Sequence, residues 1–403
     1  MMRYIKFFLY IVFYRLLAFF VPKDKHSIVF GSWKGESFSD NTRYLAEYIG
    51  EHYPEYRLYW VGKKEIREDV NQSPAKLHFL EMGKFKSNVK IMRCKYCFVS
   101  QKYHVDIFKY NILHNTVLCY LHHGTPVKQW GDDGLNKQKA VSRIEKLHDS
   151  FIGKSVNYTC YASSSPLNSK ILCSAMKSCG CTMEKIIPSG TPRNDMLVNY
   201  NHKRASQLKQ LYLERLGIDI SKKVIMYLPT YRRLDGDMFS FFDLDTENTR
   251  KINRLLEENN AVLIEKSHFA GKEPSNQERN QNLYFATKNS NVQEMLLFTD
   301  ILISDYSGAF LDFSLLDRPI IHYAYDYETY RDVDSGLYYE LNEFNAGAIC
   351  RDFDELCIAM SDELAGRDSF SLRRKEIRNK YMKYEQGTAS EMIFNKVVKN
   401  NIK

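Results

Sequence analysis

The first residues with the types and spacing for chemistry are His122 and His123, in the run His122-His123-Gly124-Thr125-Pro126-Val127-Lys128. They follow directly on Val117-Leu118-Cys119-Tyr120-Leu121, an apolar run with the composition of a buried strand. In a parallel sheet, ligands bind outside the carboxyl ends of strands, so an imidazole placed there faces a crevice. Histidine titrates near neutral pH and is the natural general base for deprotonating a hydroxyl. Gly124 permits close backbone approach, and Pro126 stiffens the turn. The plainer reading is a loop histidine that only hydrogen-bonds the backbone.

Three later segments repeat the theme. Thr230, Tyr231, Arg232 and Arg233 follow the apolar run Val224–Tyr227. Two adjacent arginines just past a strand end can clamp a phosphate bidentately, or stand as solvated loop charges. Lys266, Ser267 and His268 follow a second such run and place a cation and an imidazole near the same rim. The third segment, Ile303-Ser304-Asp305-Tyr306-Ser307-Gly308-Ala309-Phe310-Leu311-Asp312, reads as strand, tight turn, then helix from about Ser307. Backbone N–H groups at a helix start suit an anion, although Ser307 is also an ordinary N-cap. Jointly these groups fit transfer from a phosphate-bearing donor: cations for the leaving phosphate and a base for the attacking hydroxyl. Neither a GxxxxGK[ST] loop nor a GxGxxG fingerprint is present, which disfavours P-loop NTPases and dinucleotide dehydrogenases.

The elements that must position these residues alternate. Expected strands are His26–Phe30, Arg57–Val61, Tyr96–Ser100 and Thr116–Leu121, then Val224–Leu228, Val262–Lys266, Ile301–Ser304 and Pro319–His322. Expected helices are Asn41–Glu51, Lys84–Arg93, Thr249–Asn259, Asn291–Leu297 and Ser307–Leu316, with Asp352–Ala365 and Ser371–Lys399 closing the chain. Strands alternating with helices imply βαβ units and mostly parallel sheets. The expected fold is α/β, with two Rossmann-like domains over 26–195 and 196–403 facing a cleft, preceded by an apolar helix in 1–25.

Composition agrees with a folded, two-domain protein: 403 residues, 44% hydrophobic and 26% charged. Lys and Arg exceed Asp and Glu by 57 to 49, a modest excess that fits anionic partners without choosing among them. Nine scattered cysteines read as buried thiols of a reducing compartment. Cys94 and Cys97 have the spacing of half a zinc site, but no second pair follows, so no metal is expected. Residues 1–22 hold twelve Phe, Leu, Ile or Val, yet Arg15 interrupts any long uncharged run. A spanning helix and a cleaved signal peptide are both disfavoured. The segment instead suits a membrane surface, with packing against the protein's own body as the competing reading.

Taken in order, His123-Gly124-Thr125-Pro126-Val127-Lys128, Gly190-Thr191-Pro192-Arg193-Asn194-Asp195, Pro229-Thr230-Tyr231-Arg232, Lys266-Ser267-His268 and Ser304-Asp305-Tyr306-Ser307 resemble the CDP-glycerol glycerophosphotransferases. These are the teichoic acid primases and polymerases. Asp40-Asn41, Asp317-Arg318-Pro319-Ile320 and Gly387-Thr388-Ala389-Ser390-Glu391 extend the likeness, which covers about residues 26–395. The resemblance implies a glycosyltransferase-B-like fold and in-line displacement at phosphorus, with no cofactor and no required metal. It implies His123 as general base and His268 as a second essential histidine near the donor pyrophosphate. It implies substrate contacts at Gly124, Thr125, Pro126, Val127, Arg193, Thr230, Tyr231, Arg232, Lys266, Ser267, Asp305, Ser307, Gly308 and Asp312. Expected partners are CDP-glycerol or a related CDP-polyol, a lipid-linked or polymeric acceptor, and the cytoplasmic side of the cell membrane, with no nucleic acid. A nucleotide-sugar-dependent glycosyltransferase of the same fold is the alternative. Four positions depart from the usual pattern: His122 precedes the first motif, Ser267 and Phe269 flank the second histidine, and Gly308 replaces a serine.

Overall fold

The structure, a computed structural model, describes residues 2–108, 112–134, 156–230, 232, 238–266, 282–287, 290–334 and 336–400. Two compact units divide the chain. The first comprises Met1–His123, Gly131–Asp195 and Tyr384–Lys403, and the second Gly124–Trp130 and Met196–Lys383. A single boundary between 195 and 196 therefore describes the chain incompletely. The chain also changes unit inside the His123–Gly124 motif and again after Lys383.

The first unit is built on a seven-stranded, all-parallel sheet. Its strands are β1 (Asp24–Gly31), β2 (Arg57–Gly62), β3 (His78–Glu81), β4 (Cys94–Val99), β5 (Val117–Tyr120), β6 (Cys160–Ala162) and β7 (Ile186–Ile187). Their order is β3-β2-β1-β4-β5-β6-β7, so the winding reverses between β1 and β4. Such a switch point opens a crevice at the carboxyl edge. Phe30, Trp60 and Phe98 line one face of the core, and the rings of Phe30 and Phe98 stack at 5.5 Å.

The helix Ala389–Phe394 and the π-helical turn Asn395–Lys399 that continues it return to this core with Ile393, Phe394, Val397 and Val398. The continuous helix expected over 371–399 is therefore broken. Its first part ends at Tyr381, and Gly387 takes a left-handed φ of 76° that a helix cannot continue through.

Residues Met2–Phe20 form a helix. Tyr14 and Ala18 are buried, and Asn88 Nδ2 donates to the Tyr14 hydroxyl at 3.2 Å. Leu9, Val12, Phe13, Leu16, Phe19 and Phe20 remain exposed. Among the described residues no helix is long and apolar enough to cross a membrane.

The second unit carries a six-stranded parallel sheet. The strands are β8 (Lys223–Leu228), β9 (Ala261–Glu265), β10 (Leu283–Phe285), β11 (Ile301–Ser304), β12 (Ile320–Tyr323) and β13 (Ala348–Cys350). Their order, β10-β9-β8-β11-β12-β13, places the switch point between β8 and β11. Apart from its first residue, β8 is buried along its whole length, as the continuous apolar run of a doubly covered parallel strand requires. Five short strands, β3, β6, β7, β10 and β13, were not expected from the sequence. Each is two to four residues long, too short to show a period.

Candidate functional site

In the first unit the chain leaves β5 and turns at His122, whose φ of 61° lies in the left-handed region. Asn41, on the helix Asp40–His52, holds this turn: its Nδ2 donates to the carbonyls of Leu121 at 3.2 Å and His122 at 2.8 Å. His122 is buried, whereas His123 is half-buried. The Trp33 ring, just past β1, meets the His123 ring near-perpendicularly at 5.7 Å.

Arg193, expected among the donor contacts, is committed within the protein. Its Nη1 donates to the His123 carbonyl at 2.7 Å and to Asp40 Oδ1 at 3.1 Å. The same carboxylate accepts the Trp33 indole N–H at 3.0 Å.

Local chemistry explains how residues 190–195 aim Arg193. Gly190 has a φ of 78°, and a Cβ there would lie 2.6 Å from a Glu385 carboxylate oxygen. Thr191 donates through N and Oγ1 to Glu385 at 3.0 and 2.8 Å. Asp195 accepts the N–H groups of Ala389 and Ser390 at 2.8 and 2.9 Å, capping the last helix. Two motifs distant in sequence thus form one block. Behind β1 and β4, burial pushes the Asp106 carboxyl up to about 8, although it accepts the backbone N–H groups of Gln101 and Lys34.

In the second unit the switch point is closed by Asp305. Its fully buried carboxylate accepts Thr230 N at 3.0 Å, Thr230 Oγ1 at 2.6 Å and Tyr306 N at 2.6 Å. Arg232 joins the cluster: Nη1 lies 2.9 Å from Asp305, and Nε and Nη2 fork onto Asp326 at 2.6 and 3.0 Å. The guanidinium also lies over the rings of Tyr306, Tyr325 and Tyr330, at 5.3, 5.6 and 4.7 Å. It is an internal lock, not the solvated phosphate clamp the sequence allowed.

His322 supports Asp305 from behind. Ala346 N donates to its Nε2 at 3.0 Å, which leaves the proton on Nδ1, 3.3 Å from the Asp305 carbonyl. Burial lowers its pKa to about 4, so the ring is neutral.

The Gly124–Val127 loop and the Ser307–Gly308 turn come together in this unit. A Cβ on Gly308 would lie 2.6 Å from the Thr125 carbonyl oxygen, so the glycine that departs from the expected serine allows this close approach. Thr125, Pro126 and Val127 are buried, and Thr125 Oγ1 donates to Met382 Sδ at 3.3 Å. The helix expected from Ser307 begins at Ala309, with Gly308 as its N-cap; Ser307 Oγ accepts Ala309 N at 3.3 Å.

Lys266 Nζ donates to the Thr287 carbonyl at 3.0 Å, and Asp312 accepts Gln293 Nε2 at 3.2 Å. Tyr231, Ser267 and His268 lie outside the described residues. Glu265, given no role from the sequence, is buried at the end of β9, accepts Ser240 Oγ and Phe241 N, and is pushed by burial to about 7. Trp33 and Asp326 were likewise not singled out; only contacts distant in sequence reveal them.

Two parallel α/β sheets, each with polar clusters at its carboxyl edge, define the class of double-Rossmann proteins. Residues 13–399 match the CDP-glycerol:poly(glycerophosphate) glycerophosphotransferase family, and the chain belongs to it. It is 27% identical over 391 residues to the teichoic acid poly(glycerol phosphate) polymerase of Bacillus subtilis, covering 95% of this chain but only 50% of that protein. It is 26% identical over 377 residues to the teichoic acid glycerol-phosphate transferase of Staphylococcus aureus, covering 93% and 94% of the two chains. Among solved structures, a variant of the wall teichoic acid polymerase TagF superposes with a TM-score of 0.80 at 22% identity, covering 100% of this chain and 96% of that one. At that identity the likeness concerns the fold.

Proposed function

We propose that this protein transfers glycerol phosphate, or a closely related polyol phosphate, from a CDP-activated donor to a hydroxyl of a lipid-linked or polymeric acceptor, releasing CMP. The observation that carries the reading is the half-buried His123 at the carboxyl end of β5, within a chain that matches the family over residues 13–399. His123 takes the proton of the acceptor hydroxyl. The hydroxyl oxygen attacks the phosphorus that bears the polyol, the bond from that phosphorus to the bridging oxygen breaks, and CMP leaves with the electron pair. Lys266 and His268 stabilise the charge on the departing CMP. Thr230, Asp305, Arg232 and the Gly124–Val127 loop shape the donor site by holding the Ser307–Gly308 turn and the strand ends in place. The relatives named for ribitol phosphate make CDP-ribitol the natural second donor.

The exposed apolar side chains of Met2–Phe20 fit a protein resting on the cytoplasmic membrane surface, where a lipid-linked acceptor is presented. His123→Ala tests the base directly. Loss of acceptor-dependent CMP release by about 10²–10⁴-fold, with an unchanged circular dichroism spectrum, is expected. Retention of near-normal turnover would refute the assignment.

A further inference from the structure

Four of the eight non-glycine residues with positive φ among the described residues lie in one small region of the first unit: Trp33 (44°), Lys34 (58°), Asp40 (69°) and His122 (61°). Two belong to residue types, tryptophan and lysine, that rarely adopt this conformation. Strained backbone persists only where its surroundings over-determine it, and such residues concentrate at functional sites. Here the surroundings are the hydrogen bonds that meet at Asp40.

One carboxylate oxygen takes the Trp33 indole N–H at 3.0 Å and the other takes Arg193 Nη1 at 3.1 Å. Arg193 then reaches from this carboxylate to the carbonyl of His123 itself, at 2.7 Å. Its backbone N–H donates to Asn41 Oδ1 at 3.1 Å, and Asn41 holds the two preceding carbonyls. The peptide plane leaving His123 is therefore fixed by a guanidinium, the turn before it by an amide, and one face of its ring by Trp33. A charge pair needed only for stability would have no reason to end on the backbone of the strand-end histidine.

We infer that Asp40 and Arg193 are positioning residues that aim the His123 imidazole, Asp40 being the hub that ties its backbone to its aromatic wall. This rests on the reading of His123 as the base. Neither residue touches substrate in this scheme, so their loss affects kcat and not donor affinity. In Asp40→Asn, the amide oxygen can still accept one of the two donors, but the charge opposing Arg193 is gone. Arg193→Lys keeps a cation able to reach one of its two acceptors, and Arg193→Gln keeps neither charge nor reach.

The experiment is steady-state kinetics of the full-length protein with CDP-glycerol and an acceptor, read as CMP release, alongside thermal melts. The expected result is kcat lowered about 10–100-fold in Asp40→Asn and Arg193→Gln, with donor KM within about twofold of wild type. Arg193→Lys should be intermediate, and the Asp40→Asn/Arg193→Gln double variant should be no slower than the worse single one. Wild-type kcat in folded Asp40→Asn protein overturns the inference, as does a lowered melting temperature with unchanged kcat per folded molecule. A rise in donor KM alone makes Arg193 a donor ligand and overturns it too. If Arg193→Gln does not fold, Asp40→Asn and Arg193→Lys decide. His123→Ala, run in parallel, separates the two readings. An active His123→Ala defeats the base assignment itself, whereas an inactive one beside a fully active Asp40→Asn defeats only the positioning.

Discussion

Replacing Arg232 should unfold the second unit well before it alters any affinity. Its side chain is 7% exposed and sits between the carboxylates of Asp305, 1% exposed, and Asp326, 22% exposed. In Arg232→Met those two carboxylates lose the guanidinium that pairs them, and Asp305 cannot reach water. Removing one partner of a buried pair typically costs about 3–5 kcal/mol, chiefly because the other charge is stranded. For a unit of about 200 residues each kcal/mol moves the melting temperature by about 2–4 °C, so a fall of about 6–20 °C is expected. Arg232→Lys should recover part of this. An ammonium can pair with one carboxylate, but it can neither fork onto Asp326 nor lie flat over Tyr330. Adding Asp326→Asn to Arg232→Met removes one of the stranded charges and should raise the melting temperature again. Scanning calorimetry with urea titration at neutral pH checks the series. An unchanged melting temperature combined with a raised donor KM would refute the lock and restore Arg232 as a phosphate clamp.

Three further outcomes are expected. Glu265 holds its proton up to about pH 7 in the native state but loses it near 4.5 when unfolded, so the native state binds more protons between these values and stability falls as pH rises through that window. The penalty reaches about 3 kcal/mol above pH 7; Glu265→Gln should flatten this slope in urea melts at pH 5 and 8, and an unaltered slope would contradict it. Gly308→Ala places a Cβ 2.6 Å from the Thr125 carbonyl oxygen at an N-cap where alanine is also the poorer residue, so it should destabilise by about 1–3 kcal/mol, and a raised melting temperature would show that no close approach exists. Deleting residues 2–20 should release the protein into the supernatant of a membrane sedimentation assay while sparing turnover on a soluble acceptor analogue; sedimentation that persists at high salt would place the attachment elsewhere.

Much of the scaffold was legible because long buried strands announce themselves. Val224–Leu228 and Ile301–Ser304 are apolar runs bounded by charge or turn residues, and both fall on strands of the sheet within a residue. The position of His123 past the end of β5 followed from the same pattern. What could not be read is what the reactive-looking side chains hold. Arg232 meets Asp326 across 94 residues and Arg193 meets Asp40 across 153, and no local spacing encodes such pairs. Gly308 read as a lost hydroxyl until its neighbour, the Thr125 carbonyl, was in view. The final helix looked like a cap on the second half, because its apolar positions fit any core. Only its side chains, packed with Phe30 and Trp60, assign it to the first unit.

The measurement that tests the central claim most directly is the identity of the nucleotide released. Purified protein is incubated with an acceptor and, in separate reactions, CDP-glycerol, CDP-ribitol and a UDP-sugar, and the products are resolved by ion-exchange chromatography. The account predicts acceptor-dependent CMP from a CDP-polyol, in amounts equal to the polyol phosphate added to the acceptor. Release of a nucleoside diphosphate, with the sugar moved to the acceptor and no CMP formed from either CDP-polyol, would contradict it.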